Sequence, residues 1–231
     1  MEQLGIPSYW LPRPAVPLDA ATRAGFERLY AAAVAPGTSE AIAYTLTAPK
    51  WQFLAYVADE HGLMLHGSGR PDIALFEPRQ SNDVDAFGAQ RAVYAAADGL
   101  WPMYFAILDR ERYPMNLVNG CMRVAVGDSA PGEPYYFFSI SQSARLQAPW
   151  RDGFVYLLPA AGFIRQEPLH LGELVIHVAQ AASLAPVKPL AKLAIRPADF
   201  PFLDQIRGHD EHALAARAAA DPDGFPWVDP E

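Results

Sequence analysis

Apolar residues near the start of the chain recur at the three- and four-residue spacing of helices. One pattern begins at Leu18 or Asp19 and ends at Pro36-Gly37-Thr38. Its apolar face carries Ala21, Phe26, Leu29, Tyr30 and Ala33. A second pattern has Pro49 in its first turn and closes at Glu60-His61-Gly62, where glycine suits a C-terminal cap. These stretches predict two N-terminal helices.

From residue 63 onward the pattern changes to short runs rich in Val, Ile, Tyr and Phe, which is typical of strands. Strands are predicted at 63–67, 92–96, 121–126, 135–141, 153–158, 173–179 and 190–196. Two more helices are predicted, one from Asp98 to about Asp109 and one over 204–220. Trp101, Phe105 and Leu108 form the apolar face of the former. Helices followed by many strands predict an α+β fold and argue against a regular βαβ series.

The same patterns divide the chain, which we expect to form a single domain over residues 1–231, into four parts. Residues 1–17 are rich in proline and aromatic residues and predict an extended arm, and residues 18–62 form the helical N-terminal part. Residues 63–200 form a β-rich core, and residues 201–231 form a C-terminal helix and tail.

Composition narrows the function classes. The chain has 51% hydrophobic residues and a net charge of −8, so a large core is possible and a general nucleic-acid binder is disfavoured. The single cysteine, Cys121, excludes an intramolecular disulfide and a multi-cysteine zinc site. The first residues show no signal-peptide pattern and no apolar run approaches a membrane span, so a cytoplasmic protein without a membrane partner is expected.

One predicted strand end carries chemistry that core packing does not require. The apolar run Leu63-Met64-Leu65 ends abruptly in His66-Gly67-Ser68, and a similar run, Ala92-Val93-Tyr94-Ala95, follows about one supersecondary unit later. An imidazole, an approachable glycine backbone and a hydroxyl therefore stand at the rim of a sheet. This arrangement predicts a ligand-binding edge.

Residues 63–110 resemble the catalytic core of the ADP-ribosyltransferase superfamily, in the branch of the poly(ADP-ribose) polymerases and diphtheria toxin. The matching pieces are Leu65-His66-Gly67-Ser68, Asp72-Ile73, Phe87-Gly88 and Val93-Tyr94-Ala95, in an order and spacing similar to those of the family. The resemblance covers about a quarter of the chain well and the rest in outline. It implies a split antiparallel β-sheet with N-terminal helices and a C-terminal helix.

The resemblance also implies NAD as substrate. His66, Gly67, Ser68, Tyr94 and Phe105 would bind it. His66 would orient a ribose, Gly67 would hold the carboxamide, and Tyr94 would stack on the nicotinamide. The long polar loop 69–91, which contains Asp83 and Asp85, would cover the dinucleotide. The implied reaction is mono-ADP-ribosyl transfer to an unknown protein or small-molecule acceptor, with release of nicotinamide.

The family also uses a carboxylate to stabilise an oxocarbenium-like transition state. Glu173 stands at the start of a β-like run, as the family glutamate does, and is the favoured catalytic residue beside His66 and Tyr94. Gln180 takes this position if the later strand 190–196 sets the register, and Glu167 is a third candidate. A glutamine supplies no negative charge, so a site with Gln180 there would bind NAD and transfer ADP-ribose poorly.

Three alternatives stay open. An NAD-dependent RNA 2′-phosphotransferase is one, although basic side chains are sparse. A non-catalytic NAD-binding or regulatory domain that lacks the carboxylate is the second, and an unrelated α+β domain with a structural His66 is the third. His209 and His212 flank two acidic residues but have no third ligand at metal spacing, so no metal is expected.

Overall fold

The computed structural model describes residues 5–81, 86–222 and 224–228. The α-helices within these ranges are α1 (Ala20–Ala33), α2 (Lys50–Asp59), α3 (Trp101–Ile107), α4 (Gln142–Arg145) and α5 (Glu211–Ala220). The predicted N-terminal helices are confirmed as α1, whose N-cap Asp19 accepts a hydrogen bond from the Thr22 N–H, and α2. Asp83 and Asp85 lie outside the described residues.

The strands of the described ranges belong to two sheets. They are β1 (Leu11–Pro12), β2 (Met64–Ser68), β3 (Arg79–Gln80), β4 (Arg91–Ala96), β5 (Leu117–Val126), β6 (Tyr135–Ser141), β7 (Gly153–Leu158), β8 (Ile164–Arg165), β9 (Leu169–Leu171), β10 (Leu174–Val178), β11 (Gln180–Ser183), β12 (Ala191–Ile195) and β13 (Arg207–His209). The first sheet has the order β1-β6-β5-β10-β9, with β13 parallel to β6. The second has the order β12-β7-β2-β4-β11-β8, with β3 beside β4. The α+β class is confirmed.

Several predicted boundaries are wrong: the helix predicted from Asp98 to about Asp109 is α3, which is shorter at both ends, and the strand predicted at 121–126 is β5, which begins at Leu117. The C-terminal helix was expected over 204–220, but Leu203–Gln205 forms a 3₁₀ turn and β13 follows it, so α5 starts only after the N-cap Asp210. No strand is predicted between 173–179 and 190–196, but Gln180–Ser183 forms β11, which pairs with β4. For β13 and β11 the pairing partner lies far away in the chain, where local periodicity gives no signal.

The run from β10 to β11 belongs to both sheets. Between the two strands, Ala179 donates its N–H to the Cys121 carbonyl of β5 and accepts a hydrogen bond from the Ala97 N–H, just after β4. One extended segment therefore leaves the first sheet and enters the second with a single shared residue between them.

Helix α3 lies between the two sheets. A Cβ on Gly67 of β2 would stand 1.8 Å from the Pro102 carbonyl oxygen, and one on Gly153 of β7 would stand 2.0 Å from that of Ala106. These two glycines let the helix backbone approach the second sheet closely. On the other side, the Tyr104 hydroxyl donates to the Ser139 carbonyl of β6 at 2.9 Å.

A buried carboxylate fixes the start of α3. Asp98 is 1% exposed, and its Oδ1 accepts hydrogen bonds from the Leu100 and Trp101 N–H groups at 2.8 Å each. Its Oδ2 accepts from the Tyr136 hydroxyl at 2.7 Å and from the Arg13 guanidinium at 3.1 Å. Asp98 therefore ties α3, the first sheet and the N-terminal arm together. No helix of the described ranges is long and apolar enough to cross a membrane.

We expect Asp98→Asn to lower the free energy of unfolding by about 3 kcal/mol, because it removes the buried negative charge that pairs with the Tyr136 hydroxyl and with Arg13, whose closest remaining ion pair is with Asp59. Urea unfolding of both proteins measures the difference. Asp128→Asn, at an exposed turn position, is the matched control and should unfold at the wild-type urea concentration. Equal midpoints for all three proteins would contradict the central role of Asp98.

Candidate functional site

The second sheet splits between β2 and β4. These strands share one residue pair, Leu65 with Ala96, and the beginning of β4 pairs with β3 instead. Beyond that pair, a hydrogen bond of 2.7 Å joins the His66 Nδ1 to the Tyr94 carbonyl oxygen. The gap between the strands is therefore bridged by an imidazole where a ladder of backbone hydrogen bonds would otherwise continue.

The backbone of Gly67 faces this gap. Ala97 donates its N–H toward β11, whereas the Tyr94 carbonyl faces β2. Because backbone groups in an antiparallel strand alternate between its two neighbours, Leu65 and Ala96 bond to each other directly. The N–H and C=O of Gly67, two residues after Leu65, then point in the same direction, into the gap.

His66 is held in one tautomer. A carbonyl oxygen only accepts hydrogen bonds, so Nδ1 carries the proton and Nε2 of the neutral ring has a free lone pair. Burial lowers the pKa of His66, and the nearby positive charge of Arg79 lowers it further. Among the described residues, no protein group is hydrogen-bonded to Nε2. The ring centre lies 4.7 Å from that of Phe76.

The side chain of Tyr94 orders the Phe-Gly loop. Its hydroxyl lies 2.9 Å from the Phe87 carbonyl oxygen and accepts a hydrogen bond from the Gln90 N–H at 2.9 Å. The tyrosine ring is thereby fixed at one side of the gap. Its stacking on a nicotinamide ring stays a prediction.

Gln180 stands on the strand next to Tyr94. It pairs directly with Ala96, so its side chain shares a face of the sheet with Ala96 and with Tyr94, two residues away. Helix α3 covers the same face, as its contact with Gly67 shows. Gln180 is half-buried, and no hydrogen bond of its side-chain amide is formed within the described residues.

The structure does not bring Glu173 to His66. Glu173 is exposed in the turn between β9 and β10 of the first sheet, directly after Gly172, whose φ is +62°. It precedes Gln180 by seven residues of mostly extended chain, which corresponds to about 20 Å. Glu167 is exposed in the β8–β9 connection. Of the three candidates, Gln180 is the one that lies on a strand paired with β4.

Phe105 and Ser68 lie on neighbouring elements. Phe105 is the only α3 residue that is not buried, and its ring centre is 5.3 Å from that of Tyr104 and 6.3 Å from that of Trp101. Its helix covers the face of the sheet that carries Tyr94. The Ser68 hydroxyl accepts a hydrogen bond from the Arg70 N–H at 3.1 Å and stabilises the turn after β2.

Two arginines near the gap were missed by sequence reasoning. Arg79 lies on β3, close enough to His66 for its charge to affect the pKa of that ring. The Arg151 guanidinium lies over Gly69, where a Cβ would stand 1.9 Å from the Arg151 Cζ. The Arg151 Nε is buried and has no hydrogen-bond partner in the described part of the chain. Neither contact leaves a local signal, because each depends on strand pairing.

We expect the free energy of unfolding to fall as the pH decreases from 7 to 5. Unfolded His66 takes up a proton near its ordinary pKa of about 6.5, whereas the folded ring, with its lowered pKa, resists protonation. This group contributes a slope of up to about 1.4 kcal/mol per pH unit. His66→Asn keeps an N–H donor for the Tyr94 carbonyl and cannot titrate, so its slope should be shallower.

Urea unfolding at pH 5, 6 and 7 measures these slopes. His209, whose pKa is also lowered by burial, supplies part of the slope in both proteins. His170→Asn, at an exposed position on β9, is the control and should keep the wild-type slope. If His66→Asn also kept the wild-type slope, the His66 ring of the folded protein would not be a buried neutral imidazole.

Comparison with known proteins identified no relative of this chain. No protein-family model matches the chain, and no curated protein or solved structure matches it. In the part of the chain that the structure describes, no group of three or more His, Cys, Asp or Glu side chains is placed to hold a metal ion.

Proposed function

We propose that the protein binds NAD in the gap between β2 and β4, with the nicotinamide against the backbone of Gly67. The supporting observation is the direction of the Gly67 N–H and C=O, which point into the gap away from β7. A carboxamide offers one carbonyl acceptor and an NH₂ donor, and a single residue's backbone pairs with both.

Aromatic side chains near this backbone suit a flat ring. Tyr94 is fixed by its hydroxyl, and Phe105 is the one partly exposed residue of the helix on the same face. Offset stacking on aromatic faces stabilises planar ligands at little entropic cost when the protein ring is already held in place. The two rings would hold the nicotinamide between them.

The polar groups on the other side of the gap suit the ribose and diphosphate. With Nδ1 committed to the Tyr94 carbonyl, the His66 Nε2 accepts a hydrogen bond from a ribose hydroxyl. Arg79 supplies a positive charge near His66 for the diphosphate. The whole chain has a net charge of −8, which repels anions, so the positive charge of Arg79 would favour binding of the diphosphate.

Strand β11, which carries Gln180, supports a binding function more than a catalytic one. The proposed ADP-ribosyl transfer needs a negative charge near the breaking ribose–nicotinamide bond, and Gln180 supplies none. Glu173 lies in the turn of the other sheet. We therefore propose an NAD-binding protein of ADP-ribosyltransferase type with weak or no transferase activity, and the acceptor of any transfer is a protein or a small molecule.

We expect NAD at ten times its Kd to raise the thermal midpoint of the wild type by about 4 °C, because it binds only the folded state. His66→Asn removes Nε2, so its shift at the same NAD concentration should be smaller. Differential scanning fluorimetry with His170→Asn as control checks this. No shift in the wild type at saturating NAD would count against the proposal.

We expect Gln180→Glu to raise the rate of nicotinamide release from NAD by at least about tenfold, because the carboxylate stabilises the oxocarbenium charge. Chromatography of the released nicotinamide gives the rate. Glu173→Gln is the matched control and should leave the basal rate unchanged. A loss of activity in Glu173→Gln, with no gain in Gln180→Glu, would return the catalytic role to Glu173.

A further inference from the structure

A cavity of about 480 Å³ lies on the first sheet, beside β13 and the start of α5. The N-terminal arm contributes Tyr9, β6 contributes Phe137, and Trp227 covers part of it. None of the residues assigned to the β2–β4 gap lines it. A volume between about 300 and 1,000 Å³ is typical of sites for small organic ligands.

His209 presents an unpartnered nitrogen in the wall of this cavity. The residue is 6% exposed, and its Nδ1 lies 2.8 Å from the Ser139 Oγ. The Ser139 hydroxyl donates to the Arg207 carbonyl oxygen at 3.4 Å, so Nδ1 is the donor to Oγ. Nε2 is buried and makes no hydrogen bond with any residue that the structure describes. Buried polar atoms nearly always have a partner, so Nε2 indicates a missing one.

The cavity wall is rich in arginine. Arg145 donates from Nε to the Ile206 carbonyl oxygen at 2.7 Å, and within the described residues its terminal nitrogens have no hydrogen-bond partner. Arg207 and Arg217 also line the cavity. Among the described residues, the acidic side chains in the wall are Asp204 and Asp210, and the Asp210 carboxylate caps α5 through the Ala213 N–H at 2.8 Å.

The apolar part of the wall is aromatic. Tyr9 and Phe137 meet edge to face with ring centres 5.7 Å apart, and the Arg207 guanidinium lies 6.0 Å from the centre of the Phe137 ring. Trp227 supplies another flat surface. Aromatic walls that also carry cationic and hydrogen-bonding groups suit a ligand that is flat and negatively charged.

We propose that this cavity binds a small planar organic anion, whose acidic oxygens accept hydrogen bonds from Arg145 and from the Nε2–H of protonated His209. The ring of the ligand lies among Tyr9, Phe137 and Trp227. This inference does not depend on NAD binding at the other sheet.

Binding of the anion is coupled to protonation of His209. Burial lowers the pKa of His209, so the ring of the empty site is neutral at pH 7. The groups that face it are Asp210 and Glu211 at the start of α5, Ser139 of β6, and the neighbouring Arg207. Because Nδ1 already donates to Ser139, the added proton goes to Nε2. Affinity should therefore increase as the pH falls from 8 to 6.

Titration of the whole protein with benzoate and, separately, inorganic phosphate tests the proposal, with tryptophan fluorescence and the thermal midpoint as readouts. We expect saturable binding of benzoate that is tighter at pH 6 than at pH 8, and weaker binding of phosphate. His209→Asn keeps a donor for Ser139 and removes Nε2, and Arg145→Gln removes an exposed charge. Each should weaken benzoate binding by about tenfold.

Arg28→Gln, which removes an exposed arginine on α1, is the matched control and should bind benzoate as the wild type does. The proposal is overturned if benzoate gives no saturable response, if phosphate binds and benzoate does not, or if the Arg145→Gln affinity equals that of the control. If His209→Asn does not fold, the benzoate affinity of Arg145→Gln and the pH dependence of benzoate binding by the wild type test the proposal. The NAD shift of Arg145→Gln should equal that of the wild type, which separates this site from the β2–β4 gap.

Discussion

The Asp98 carboxylate connects three parts of the molecule, helix α3, the first sheet and the N-terminal arm, through one buried charge. It accepts hydrogen bonds from the first turn of α3, from Tyr136 on the first sheet and from Arg13 on the arm. A buried charge of this kind is stable only with all its partners present, because each missing partner leaves desolvation uncompensated. Asp98 fixes the first turn of α3, and the Tyr104 hydroxyl bond to β6 fixes its middle, so the two together position the helix that covers the β2–β4 gap.

The gap itself follows from the close approach of α3 to the second sheet. Gly67 and Gly153 admit the helix backbone, and no larger residue fits at either place. Around the gap, the His66 tautomer is set by the Tyr94 carbonyl and the Tyr94 ring is set by the loop backbone. These groups are ordered before any ligand arrives, which reduces the entropic cost of binding.

Local patterns predicted the elements whose buried face can be recognised from the spacing of apolar residues within one segment. Helices α1 and α2 and the longer strands are of this kind. The ligand-binding role of the His66-Gly67-Ser68 strand end remains a prediction. β11 was missed because Gln180-Ala181-Ala182-Ser183 has weak strand propensity and depends on its pairing with β4. The strand-like run that begins at Glu173 is real, but its first residue belongs to a tight turn. Contacts such as that of Arg151 with Gly69 depend on tertiary packing and have no sequence signature.

The segment shared by the two sheets limits how a ligand reaches the gap. At Ala179 both the N–H and the C=O are hydrogen-bonded, one toward each sheet. A hinge motion that swung the sheets apart would have to break both bonds at the single residue where the chain crosses. If NAD binds in the β2–β4 gap as proposed, it would have to enter without such a motion. The Tyr94 hydroxyl, which holds Phe87 and Gln90, would then fix one side of the entry as well as one wall of the site.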